Sequence, residues 1–280
     1  MDYLIVGAGY TGRRLARQLD QERVWTTRRP QRDLEAQALP LDLDRPEVRL
    51  PHLPTPWTLV YTVPPPESAA DDDPRVDALL RAIPIDPARI VYLSTSGVYG
   101  DRQGRLTDET TVPNPTPARA RRRLAAERRL QDWCRERATQ LVILRVPGIY
   151  GPGRLGLDRR RANEPVLRGR DAAPGNRIHV DDLVGACLAT IADGAPEGIF
   201  NVGDGDHRSS TAFASIVARL AGLPAPAEIG LEEAKARWSA QRLSFVLESR
   251  RLDTTRMRTE LGFTPRYGDP EDGVRASLGG

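Results

Sequence analysis

The chain opens on Tyr3-Leu-Ile-Val-Gly-Ala-Gly-Tyr-Thr-Gly12, an apolar run that stops at a set of closely spaced glycines. The run Tyr3 to Val6 reads as a strand buried on both faces, and Arg13 to Leu19, with Leu15 and Leu19 on one side, reads as the helix that follows. Each glycine then has its own task. Gly7 permits the tight turn out of the strand, Gly9 lets backbone approach a pyrophosphate, and Gly12 lets the helix pack against the strand, with Tyr10 and Thr11 completing the loop. Glycines in this strand, loop and helix setting point to a bound dinucleotide.

Further short apolar runs follow at Val24 to Thr27, Leu59 to Val63, Ile90 to Leu93, Leu141 to Leu144 and Gly198 to Val202. Helical stretches between them imply right-handed crossovers, hence an α/β fold with a Rossmann-type doubly wound parallel sheet. The proline-rich stretches Leu50 to Pro56 and Pro64 to Pro66 read as surface loops. After Val146 the pattern loosens into Gly, Pro and Arg up to Arg177. Asp181 or Asp182 is then placed to cap a helix that carries Leu183, Val184, Cys187, Leu188 and Ile191 on one face. Phe213, Ile216, Val217 and Leu220 mark another helix, and Met257 with Leu261 a short one ending at Gly262. The expected division is a dinucleotide-binding domain of residues 1–146 and 177–203, with residues 147–176 and 204–280 forming a smaller, discontinuous C-terminal substrate lobe.

The 41 basic and 38 acidic residues are interspersed, which argues against a nucleic-acid surface. No basic leader precedes Tyr3 and no apolar run approaches the roughly 18 residues of a membrane span, so a cytoplasmic chain without membrane contact is expected. Cys134 and Cys187 lack metal-ligand spacing and read as buried thiols, and no metal site is expected. Lys235 is the sole lysine. The arginines from Arg119 to Arg129 read as a solvated helix face, with Glu127 and Glu136 as partial partners.

About 20 residues beyond the glycine loop, an NAD-binding chain carries an acidic residue for the ribose. Here the strand ends Thr26-Thr27-Arg28-Arg29. A guanidinium at Arg28, flanked by Thr27 and Arg29, suits a ribose 2′-phosphate, so NADP is expected ahead of NAD. The fourth apolar run ends in Ser94, Thr95 and Ser96, where open sheets bind their ligands.

With this fingerprint, Leu93-Ser-Thr-Ser-Gly-Val-Tyr-Gly100, Leu144-Arg-Val-Pro-Gly-Ile-Tyr-Gly-Pro152, Arg177-Ile-His-Val-Asp-Asp-Leu183, Asn201-Val-Gly-Asp204 and Leu261-Gly-Phe263, the chain resembles extended short-chain dehydrogenases/reductases. Within them it is similar to the atypical NAD(P)-dependent epimerase/dehydratases. The resemblance implies that Asp42 and Leu43 lie near the adenine, that Val63, Pro64 and Pro147 line the cofactor, and that Thr95 is the catalytic hydroxyl. It also implies a homodimer built through helices of the nucleotide-binding domain. The family's YxxxK pair falls on Arg119 and Arg123, and a guanidinium does not release its proton as a tuned phenol does. Gly148 stands where many sugar-nucleotide enzymes place a substrate-holding asparagine.

Two functions follow from these expectations. The first is an NADP-dependent oxidoreductase or epimerase/dehydratase acting on a small or nucleotide-linked carbonyl or hydroxyl substrate. Ser96, Tyr99, Gly148, Arg154, Arg177 and His179 would face that substrate, Arg119, Arg123, Arg154 and Arg177 would grip an anionic one, and Tyr99, Asp108, Glu109 or His179 would move the proton. The second is an NADP-binding sensor or partner protein with little turnover.

Overall fold

A computed structural model describes residues 1–27, 37–39, 41–45, 47–67 and 71–279. Seven parallel strands form the central sheet: β1 (Asp2–Val6), β2 (Val24–Thr27), β3 (Gln37–Leu39), β4 (Trp57–Tyr61), β5 (Arg89–Thr95), β6 (Gln140–Val146) and β7 (Gly198–Asn201). Their order is β7-β6-β5-β4-β1-β2-β3. The order reverses between β1 and β4, and a doubly wound sheet opens a crevice at the strand ends where this happens.

Strand alternation assigns residues to two cores. Ile5, Val60, Val91 and Val142 face helices α1 (Tyr10–Ala16) and α4 (Val180–Ile191), packing with Leu15, Val184 and Cys187. Their neighbours Leu4, Leu59, Ile90 and Ile143 face α2 (Pro74–Ala82) and α3 (Ala118–Arg137), packing with Leu79, Leu130 and Cys134. A period-two pattern with both faces apolar is what helices on both sides of a sheet require. Both cysteines are buried and free.

Local boundaries depart from the sequence expectation in several places. Helix α1 starts at Tyr10, inside the glycine loop, and ends at Ala16. Helix α4 is capped by His179, whose Nδ1 accepts from Asp181 N at 3.2 Å, and not by either aspartate. Asp182 instead accepts from Arg266 N and Tyr267 N at 2.8 and 3.0 Å, pinning the C-terminal segment. The edge strand β3 was not expected, and the helices Leu231–Arg237 and Ala240–Leu247 join those foreseen beyond residue 204. Among the described residues, no helix is long and apolar enough to cross a membrane.

Candidate functional site

The glycine loop is sterically determined. Gly7 sits at φ +103°, and a Cβ there would lie 2.5 Å from Thr62 Oγ1. A Cβ on Gly12 would lie 2.3 Å from the Gly7 carbonyl oxygen, so only glycine lets α1 approach. Gly9 differs, since an added Cβ meets nothing within 4 Å. Its backbone faces a cavity of about 410 Å³ at the ends of β1 and β4, which Gly7, Tyr10 and Thr11 also line. Thr62 ties these strand ends together, its N donating to Val6 O at 2.9 Å and its Oγ1 to Gly7 O at 2.6 Å.

Asp42, Leu43, Val63 and Pro64 line the same cavity. The Asp42 carboxylate accepts from Asp44 N at 3.1 Å and Arg45 Nε at 3.2 Å. Arg75 closes this end through paired bonds of 2.7 and 2.6 Å to Asp44 and one of 2.9 Å to Pro64 O. Thr27 ends β2. Arg28 and Arg29, on which the NADP expectation rests, lie outside the described residues.

A larger cavity of about 780 Å³ adjoins the first, and Pro64 and Arg123 line both. Thr95 and Ser96 enter it from the end of β5, Pro147 and Gly148 from the end of β6. Pro147 therefore lies in the larger cavity, whereas Val63 lines the smaller one and Pro64 lines both. Thr95 Oγ1 accepts from Gly97 N at 3.1 Å, which uses one lone pair and leaves the hydroxyl hydrogen available to a ligand.

The two arginines at the expected proton-relay positions are anchored differently. Arg123 Nη1 donates to Leu93 O at 2.8 Å, to Tyr92 Oη at 3.2 Å and to Val63 O at 3.4 Å, joining the ends of β4 and β5. Arg119 Nη1 donates to Ser244 Oγ at 3.0 Å, and its guanidinium lies 3.9 Å from the Phe245 ring centre. Arg177 is buried and donates to Arg208 O and Ser209 O at 2.8 and 3.2 Å. Five arginines, Arg119, Arg122, Arg123, Arg177 and Arg250, line the larger cavity against Glu67 and Glu248, so its field favours an anion.

Several expected site residues lie elsewhere, for identifiable reasons. Tyr99 is fully buried and donates to Asn201 Oδ1 at 2.7 Å; burial pushes its phenol up to about 12. His179 is 1% exposed, with Nε2 3.1 Å from Ser277 Oγ and burial lowering its basicity. Neither side chain lines either cavity. Asp108 caps its own turn through Thr110 and Thr111, while Glu109 accepts from Asn201 N at 2.7 Å. Arg154 lines the smaller cavity, not the larger.

Glu127 is not on a solvated face either. It is buried against Arg145, whose Nη2 donates to it at 2.8 Å, and it accepts a short hydrogen bond from Ser94. The outer arginines Arg121 and Arg129 do match the solvated reading, pairing with Asp71 and Asp77 across exposed surface.

One residue with no sequence motif enters the site. The Glu248 side chain is 13% exposed, lines the larger cavity, and has burial raising its carboxyl above the usual range. Arg250 lies 3.6 Å away, and among the described residues none donates a hydrogen bond to the carboxylate. No tyrosine, histidine, lysine or cysteine lines that cavity among the described residues. Glu248 could be found only through the fold, because the helix Ala240–Leu247 brings it opposite α3.

Comparison with known proteins agrees with the fold. Residues 75–203 match the model of the NAD dependent epimerase/dehydratase family. Protein YeeZ of Escherichia coli (strain K12) is 31% identical over 201 residues, covering 69% of this chain and 62% of that protein. The chain thus spans less than two thirds of that relative's length. A functionally unknown conserved protein from Silicibacter pomeroyi DSS superposes with a TM-score of 0.79 at 28% identity, covering 99% of this chain and 98% of that one. MoeE5 in complex with UDP-glucose and NAD shares the fold, with a TM-score of 0.75 at 23% identity over 100% of this chain and 98% of that one.

Proposed function

We propose, from the match of residues 75–203 to the NAD dependent epimerase/dehydratase family, that the chain binds a nicotinamide dinucleotide in the smaller cavity and uses it on a carbonyl or hydroxyl of an anionic, small or nucleotide-linked substrate in the larger one. The observation that carries this reading is the junction of the two cavities at Pro64 and Arg123, with the Thr95 hydroxyl in the larger. The cofactor fits the residues present: Gly9 leaves open space over the cavity floor, and the Gly7 and Gly12 contacts fix the loop that would receive a pyrophosphate. NADP is preferred because Arg28 and Arg29 replace the ribose-binding carboxylate.

When bound, the nicotinamide supplies a hydride acceptor or donor. Thr95 orients the reacting oxygen by donating its free hydroxyl hydrogen. In the oxidising direction Glu248 takes the substrate hydroxyl proton while the hydride leaves the same carbon, so a carbonyl forms. Arg119 holds a negative group of the substrate, and Arg123 holds the strand ends and the site's positive field in place. A homodimer in the cytoplasm belongs to the same reading.

The test is to titrate purified protein with NADPH and NADH and then look for hydride transfer across a panel of carbonyl compounds and sugar nucleotides. Turnover with NADPH supports the proposal. Tight NADPH binding without turnover on any panel member would favour the cofactor-sensing alternative, in which pinned arginines have replaced the relay.

A further inference from the structure

Three arginines of the described chain line the smaller cavity, and two of them are spent. Arg75 is neutralised by its paired bonds to Asp44, and Arg123 is held by two backbone carbonyls and a phenol. Arg154 is different. It is exposed at the cavity edge, no carboxylate of the described residues pairs with it, and its guanidinium stacks 3.9 Å from the centre of the Tyr10 ring.

The stack is part of a clasp between two distant segments. Tyr10 Oη donates to Pro152 O at 3.0 Å, which fixes the 151–154 turn over the start of α1. Gly151 permits the approach: it sits at φ +148°, and a Cβ there would lie 2.7 Å from Tyr10 Oη and from Val180 Cγ1. Arg154 N then donates to Gly151 O at 2.9 Å, turning the chain so that the arginine faces back across the cavity. A guanidinium held against a ring face loses little side-chain freedom on binding and still has N–H groups to offer a ligand.

We infer that Arg154 is the cofactor's pyrophosphate clamp: packed on Tyr10 beside the glycine loop, it reaches the diphosphate from the 151–154 turn and couples that turn to cofactor occupancy. The inference rests on the dinucleotide reading above. A diphosphate is the matching ligand because a fork of unpaired N–H donors suits phosphate oxygens, and Gly9, which lines the same cavity, has no side chain to crowd them.

Calorimetry with ADP-ribose, paired with ligand-observed NMR of adenosine, tests it on wild type, Arg154→Ala and Arg154→Lys. Loss of charge-assisted hydrogen bonds predicts ADP-ribose binding weakened about 10- to 100-fold in Arg154→Ala, with adenosine binding unchanged. Arg154→Lys should fall between, keeping the charge without the fork, and melting temperatures without ligand should agree within a few degrees across the set, because an exposed cation–ring contact contributes little and the Tyr10 to Pro152 bond of the clasp remains. Unchanged ADP-ribose affinity in Arg154→Ala would overturn the clamp. Equal losses for ADP-ribose and adenosine would overturn it too, showing that the turn only shapes the cavity. If wild type bound neither ADP-ribose nor NADPH, the dinucleotide reading itself would fall, and the clamp with it.

Discussion

Arg123 donates to the carbonyl oxygen of Leu93 at 2.8 Å, so the cation standing where the family resemblance expects a lysine is anchored on the strand that ends in Thr95. A permanently charged group in this position organises the strand ends but does not relay protons. Arg123→Met would leave two carbonyls without their donor. It is expected to cost about 1–3 kcal/mol in urea unfolding, while Arg123→Lys should recover part of that loss.

Thr95 should be separable from cofactor binding. Thr95→Val should abolish hydride transfer on any substrate found, with NADPH affinity within about twofold of wild type, whereas Thr95→Ser should keep measurable activity. Stopped-flow and equilibrium titration of the same preparations check both halves.

Glu248 should set the lower limb of the pH profile. Its carboxyl is raised by burial, with Arg250 and Arg119 pulling the other way. As a base in the oxidising direction it must be ionised, so activity should rise with pH through an inflection above that of ordinary glutamates. Glu248→Gln should lower kcat roughly 100-fold or more and remove that inflection.

The Arg145 and Glu127 pair, 3% and 1% exposed, is structural and should behave as a buried ion pair. Removing either partner alone, as Glu127→Leu or Arg145→Met, is expected to cost about 3–5 kcal/mol by leaving an uncompensated charge. The double variant should cost less than the sum, which denaturant unfolding can measure.

Asp204 gives stability an opposite pH trend from most carboxylates. It is 3% exposed, its Oδ1 accepts from Asp206 N, its Oδ2 has no partner, and burial raises its carboxyl to about 7. The folded state therefore keeps a proton that the unfolded chain, titrating near 3.8, has released. This contribution is complete below the unfolded value and is lost as pH rises through about 7. Thermal melts should show the advantage of Asp204→Asn over wild type growing with pH and levelling above about 7; a constant difference would refute the shift.

What the sequence carried and what it hid follow from the range of the interactions. Residues such as Leu4, Ile5 and Val6 alternate between two cores, so strand patterning was legible one segment at a time. The same holds for Gly7 and Gly12, whose contacts lie within the loop or on the neighbouring strand end. The edge strand Gln37–Leu39 is short and mostly exposed, with no apolar pattern to reveal it. His179 and Tyr99 look reactive in sequence, but Ser277 and Asn201, each about 100 positions away, absorb their polar atoms. Glu248 is the reverse case, an unremarkable glutamate brought to the cavity by a helix that α3 holds through Arg119 and Ser244.

The most direct measurement is a fluorescence titration of NADPH and NADH against wild type and Gly9→Asp. Gly9 lines the cavity and a Cβ there would meet nothing within 4 Å, so an aspartate should set a carboxylate beside the phosphates without disturbing the fold. Saturable NADPH binding to wild type, tighter than NADH and lost in Gly9→Asp at an unchanged melting temperature, is the expected result. Absence of binding to wild type, or equal binding by Gly9→Asp, would contradict a dinucleotide site between β1 and β4.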